Sequence, residues 1–129
     1  MLYERFPCPC CGYRVFQYQP GSSERCPICA WEDDLAQLRF PLMAGSSNPQ
    51  SLHEAQQTYE QIGACSMSRQ ADTREPLGER RDEEWRRLRP DIDNIERPQR
   101  GMKYADTYPL EDTTVLYYWR ASFWRRRVS

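Results

Sequence analysis

Histidine is almost missing from this chain: His53 is the only one in 129 residues. With a single imidazole and no glycine-rich phosphate loop, the arrangements used by general acid–base and acyl-transfer enzymes have little to build on. The expectation is therefore a non-enzyme, with His53 an exposed residue near the start of a helix. Long apolar runs are missing too, none approaching the roughly 18 residues that span a bilayer. The start, MLYERFPC, has neither the basic nor the apolar block of an export signal. These absences predict a cytoplasmic protein without membrane contact, in a reducing compartment where paired cysteines favour a metal over a disulfide.

Strong net charge is lacking as well. The formal charge is −1, divided between −3 for residues 1–64 and +2 for residues 65–129. A dedicated nucleic-acid binder is usually strongly basic, and this chain is not. With 39% hydrophobic and 29% charged residues, the core must be modest, and a metal clip would help to stabilise a fold expected to form one domain over residues 1–129.

What is present is cysteine. Cys8 and Cys11 lie in CPCCGY, and Cys26 and Cys29 lie in CPICAW. Two residues between thiolates let one tight turn aim both sulfurs at a single ion, and two such turns supply a closed tetrahedral site. The 14 residues from Gly12 to Arg25 lie at the short edge of the spacing that zinc ribbons use, roughly 15–20. One structural Zn²⁺ on Cys8, Cys11, Cys26 and Cys29 is the favoured reading. Iron is the rival, because CPCCGY also resembles a rubredoxin knuckle and a tetrathiolate iron has the same geometry. Ala30 stands where the second rubredoxin knuckle usually carries glycine, which favours zinc. Cys10 pairs with neither partner at CxxC spacing and reads as a bystander thiol beside the metal or as a redox thiol.

The expected architecture is α+β: an N-terminal zinc ribbon over 1–35 with rubredoxin-like knuckles, one or two packed helices, and a C-terminal strand. Tyr13–Tyr18 reads as strand, followed by a turn at Pro20–Ser23. Residues 35–50 read as irregular. Ser51 and Glu54 form a capping box for a helix over 52–62, with Gly63 closing the 51–63 unit. Glu79–Arg89 reads as an exposed charged helix ended by Pro90. Thr113–Trp119 has β propensity on both faces and reads as a buried or paired strand, taken as 113–120.

The stretches CPCCGY, CPICAWEDD at 26–34, SNPQSLHEAQ at 47–56 and Gly63-Ala64 resemble the bacterial cysteine-rich CPCC family. That resemblance implies small intracellular proteins with a zinc-ribbon-like cysteine set, some of them similar to the immunity partners of polymorphic toxins. The function it suggests is a protein-binding module that neutralises a cognate toxin. The alternatives are a nucleic-acid-binding zinc ribbon and a rubredoxin-like electron carrier. Two surfaces are candidates for partner contact. The first is Trp31 with the acidic triplet Glu32, Asp33 and Asp34, where Trp31 reads as either a core plug or an interface anchor, and the triplet as either a solvated turn or a contact patch. The second is the Trp119–Arg127 segment, with Trp124, Arg125 and Arg126 at its centre. It mixes aromatics and arginines as protein hot spots do and as nucleic-acid contacts do.

Overall fold

The computed structural model describes residues 4–126, so Arg127 lies outside the described residues. Among the described residues, strands and α-helices are confined to the first half. Strand β1, Phe6–Pro7, pairs antiparallel with β2, Arg14–Phe16, through Phe6 opposite Phe16 and Pro7 opposite Arg14, with a bulge between the two pairs. A hairpin this small is marginal alone. It survives because Phe16 and Pro7 are buried in the shared core.

Helix α1, Leu35–Arg39, falls where an irregular stretch was expected. Asp34 starts it, accepting a hydrogen bond from the Gln37 amide at 3.1 Å. The buried Gln37 carboxamide then fastens the loop that follows, donating to the carbonyls of Met43 and Gln50 and accepting from Asn48. Helix α2, Leu52–Ile62, follows its sequence signals: Ser51 and Glu54 form the reciprocal capping box, and Gly63 terminates the helix in the left-handed region at φ 75°. Leu52 and Ala55 face the core. No helix among the described residues is long and apolar enough to cross a membrane.

The expected helix over 79–89 does not form. Its backbone is used elsewhere: the Arg80 carbonyl accepts from the Arg14 amide at 2.8 Å, and the Asp82 amide donates to the Gly12 carbonyl at 2.8 Å. Tyr13 and Arg81 thereby form a β-bridge. Helical hydrogen bonds worth about 1 kcal/mol each are matched by these long-range ones, and Trp85 and Leu88 gain burial in addition.

The expected strand at 113–120 is absent too. Thr113–Leu116 is a 3₁₀ turn capped by Asp112, and the chain turns again at Tyr117–Arg120. Leu116, Tyr117, Tyr118 and Trp119 are buried in succession, which explains the hydrophobicity on both faces: the segment is enclosed on all sides without strand pairing. Each large ring finds a separate polar anchor. Tyr117 Oη donates to the Pro7 carbonyl at 3.1 Å, Tyr118 Oη to the Arg86 carbonyl, and Trp119 Nε1 to Asp82 at 3.3 Å. One buried cluster therefore runs from Cys8 to Trp119.

Candidate metal centre

The two CxxC turns are built alike. In the first, the Cys8 amide donates to the Tyr13 carbonyl at 2.9 Å and the Gly12 amide to the Cys8 carbonyl at 2.7 Å. In the second, the Cys26 amide donates to the Trp31 carbonyl at 2.8 Å and the Ala30 amide to the Cys26 carbonyl at 2.9 Å. The residue after the second cysteine has positive φ in both, 83° at Gly12 and 70° at Ala30. For Ala30 this left-handed conformation costs about 1 kcal/mol. Gly12 has a further reason to lack a side chain, because a Cβ there would meet the Trp85 ring at 2.5 Å.

These turns bring the sulfurs of Cys8, Cys11, Cys26 and Cys29 within 4.8 Å of one another, all fully buried. Cys8 Sγ lies 3.7 Å from Cys29 Sγ, and Cys11 Sγ lies 3.7 Å from Cys26 Sγ. A disulfide would need about 2.05 Å. A tetrahedron of sulfurs each about 2.3 Å from a central ion has edges of about 3.8 Å, so the cage fits such an ion. The Ile28 amide points at Cys26 Sγ at 3.4 Å, a donor suited to a thiolate.

Electrostatics also call for a cation. Burial holds Cys8 and Cys29 well above the ordinary thiol value of 9.0; for Cys29 the neighbouring thiols add to it, and for Cys8 those of Cys11 and Cys26 add while that of Cys29 opposes. At Cys26 burial acts in the same direction but is outweighed by hydrogen bonds from Cys11, Cys29 and Cys8, and its thiol falls well below that value. Four adjacent buried thiols cannot all ionise without a compensating charge, and a bound metal ion supplies it.

The surroundings of both turns are basic. Arg81 Nε donates to the Cys11 carbonyl at 2.9 Å while its guanidinium lies over the rings of Tyr13 and Trp85. Arg69 reaches the Ala30 carbonyl at 3.3 Å, and the Cys65 amide donates to the Cys29 carbonyl at 2.7 Å. Below the first turn, buried Gln56 donates to the Pro9 carbonyl and to Tyr118 Oη, and accepts from the Leu88 amide. Sequence spacing gave no sign of these contacts, since the partners lie tens of residues apart.

Of the two cysteines outside the cage, Cys10 is buried and its thiol is pushed up to about 11, chiefly by burial. Burial also raises the Cys65 thiol, with Arg69 opposing.

A family model, described as Cysteine-rich CPCC, matches residues 6–80. The chain belongs to the cysteine-rich CPCC family. In this CPCC chain the match spans all four cage cysteines and both α-helices, and stops just before Arg81. No curated protein matches the chain.

The expected partner surfaces are rearranged. Trp31 is 1% exposed and is a core plug, so it presents no anchor to a partner. The acidic triplet is not one patch. Asp33 is buried and accepts from the Gly21 and Ser22 amides and the Ser22 hydroxyl. Asp34 caps α1 and also accepts from Ser46 and Ser47, whereas Glu32 pairs with Arg25 at 3.4 Å. Trp124 covers the Arg39 guanidinium, which Phe40, Tyr104 and Tyr108 also surround at 4.6–5.0 Å and which Glu96 grips at 2.9 Å. Arg125 is tied to Asn94. Arg126 is exposed. His53, expected to be exposed, is half-buried, with Nδ1 lacking a partner among the described residues.

Proposed function

We propose that the chain is a zinc-organised, non-enzymatic binding module: an N-terminal zinc ribbon that shapes a surface for a protein partner, acting as an immunity protein that neutralises a bacterial toxin. The observation that carries the reading is the closure of the cage. All four cysteine sulfurs face one another and all four residues are fully buried, the pattern of a structural metal rather than a catalytic one, which keeps an open coordination position. The single histidine supports a role without acid–base catalysis. The toxin as partner rests on the resemblance of CPCCGY, CPICAWEDD and SNPQSLHEAQ to proteins of that kind.

The test is co-expression with the product of the adjacent gene, with metal analysis of the purified chain. The expected result is one zinc per chain, a stable complex and protection of cells from that product. Absence of both binding and protection overturns the immunity reading. Oligonucleotide binding that weakens steeply with salt would put a nucleic-acid ribbon in its place, and a coloured iron protein would make it an electron carrier.

A further inference from the structure

Residues 86–97 and the C-terminal turns enclose a cleft of about 530 Å³, a size that accommodates a few side chains of a ligand. All its lining residues lie beyond the 6–80 segment that the family model matches. The cleft therefore belongs to this chain's own part of the molecule, outside the metal scaffold.

Four arginines and two aspartates line it, and their pairing decides its character. Arg86 is neutralised by Asp93 at 2.5 Å, and Arg120 by the buried Asp82 at 3.0 Å. Asp91 lies 3.6 Å from Arg89. Arg97 and Arg126 are exposed and meet no carboxylate among the described residues. Between the charges the wall is apolar: Ile92 is 61% exposed, and Ile95 and Phe123 are half-buried. Two uncommitted guanidiniums beside an accessible apolar wall complement a segment that alternates carboxylates with apolar side chains.

We infer that this cleft docks an acidic, apolar-containing peptide segment of a partner protein. The inference rests on the binding-module reading and names the partner's chemistry. A nucleic acid fits less well, because Tyr118 and Trp119 are only 7% exposed, too enclosed to stack on bases.

The test is a ¹⁵N NMR titration of the zinc-loaded full chain with three probes: a short acetylated peptide alternating aspartate with leucine and phenylalanine, the same peptide with lysine for aspartate, and oligo-dT. The expected result is that the acidic peptide alone shifts the amides of Ile92, Ile95 and Phe123. Its affinity should fall about tenfold or more in R97E/R126E, two exposed substitutions whose fold the same spectrum verifies. Equal binding of both peptides, binding of neither, or oligo-dT shifting the same amides overturns it. Capture of the adjacent-gene product separates the two readings: a complex that R97E/R126E leaves intact refutes the cleft and keeps the binding module. Peptide docking without any such complex keeps the cleft and removes the immunity role.

Discussion

Residues 6–80 and residues 81–126 are ordered by different physics. The first region holds both strands, both α-helices and the cysteine cage. Its turns close through local hydrogen bonds, and a metal ion would fasten them together. The second region has, among its described residues, no strand or α-helix and only two short 3₁₀ turns, at Ala105–Thr107 and Thr113–Leu116. It is held by insertion: Trp85 Nε1 and Tyr117 Oη donate to the Pro9 and Pro7 carbonyls of the first region, and Tyr118 Oη accepts from Gln56 there. Tyr118 Oη and Trp119 Nε1 donate to the Arg86 carbonyl and Asp82 of the second region itself. A segment with little secondary structure can thus be ordered if large side chains bring their own polar tips to specific acceptors. The second region depends on the first for these acceptors, and both contribute to one buried core.

Removing the metal should have the largest effect. Structural zinc contributes about 10–16 kcal/mol of apparent binding energy in small zinc-finger peptides, comparable to the whole stability of a domain. Chelation or Cys26→Ser should unfold both regions together, seen as loss of NMR dispersion throughout, whereas Cys10→Ser should retain one metal per chain. If residues 81–126 keep their dispersed signals after chelation, the dependence described above is wrong.

Gly12→Ala tests the seam between the regions. The added Cβ meets Trp85 at 2.5 Å and φ is 83°, so the loss should be about 3 kcal/mol. Gly63→Ala has a similar φ of 75° with nothing within 4 Å and should lose only about 1 kcal/mol. Equal losses in urea titrations would show that Trp85 does not press on the first turn.

Gln56→Leu strands the buried Leu88 amide, while the Pro9 carbonyl keeps Trp85 Nε1 and Tyr118 Oη keeps the Arg86 carbonyl. About 2 kcal/mol should be lost, with amide exchange accelerating at Leu88 before it does in α2. Uniform acceleration across both regions would mean that they open as a single unit.

The smallest effect concerns acid. Burial acts to raise the Asp82 carboxyl, but hydrogen bonds from Arg120, the Glu84 amide and Trp119 outweigh it and hold the group below its ordinary value of 3.8. A depressed carboxylate stabilises the fold above its unfolded value, and that contribution is lost as pH falls through the folded value. The stability gap between wild type and Asp82→Asn should therefore be full at neutral pH and shrink below about pH 4. A gap that does not change with pH would remove Asp82 as a charged link.

Local signals were legible in the sequence. The CxxC spacing identified Cys8, Cys11, Cys26 and Cys29, and selected Cys11 over Cys10. The Ser51–Glu54 box and Gly63 delimited α2. Each depends on atoms within a few residues of one another, so the residue pattern contains the interaction. The tertiary structure decided the rest. Glu79–Arg89 gave up a helix because the backbone of the first CxxC turn offered partners, and Thr113–Trp119 is enclosed without a strand partner. Asp33 and Asp34 were drawn into loop and helix capping, and Arg97 and Arg126 meet no carboxylate among the described residues while Arg86 and Arg120 were neutralised. In each case the deciding partner is distant in sequence, and hydrogen-bonding capacity or charge is assigned only once the chain has brought that partner into contact.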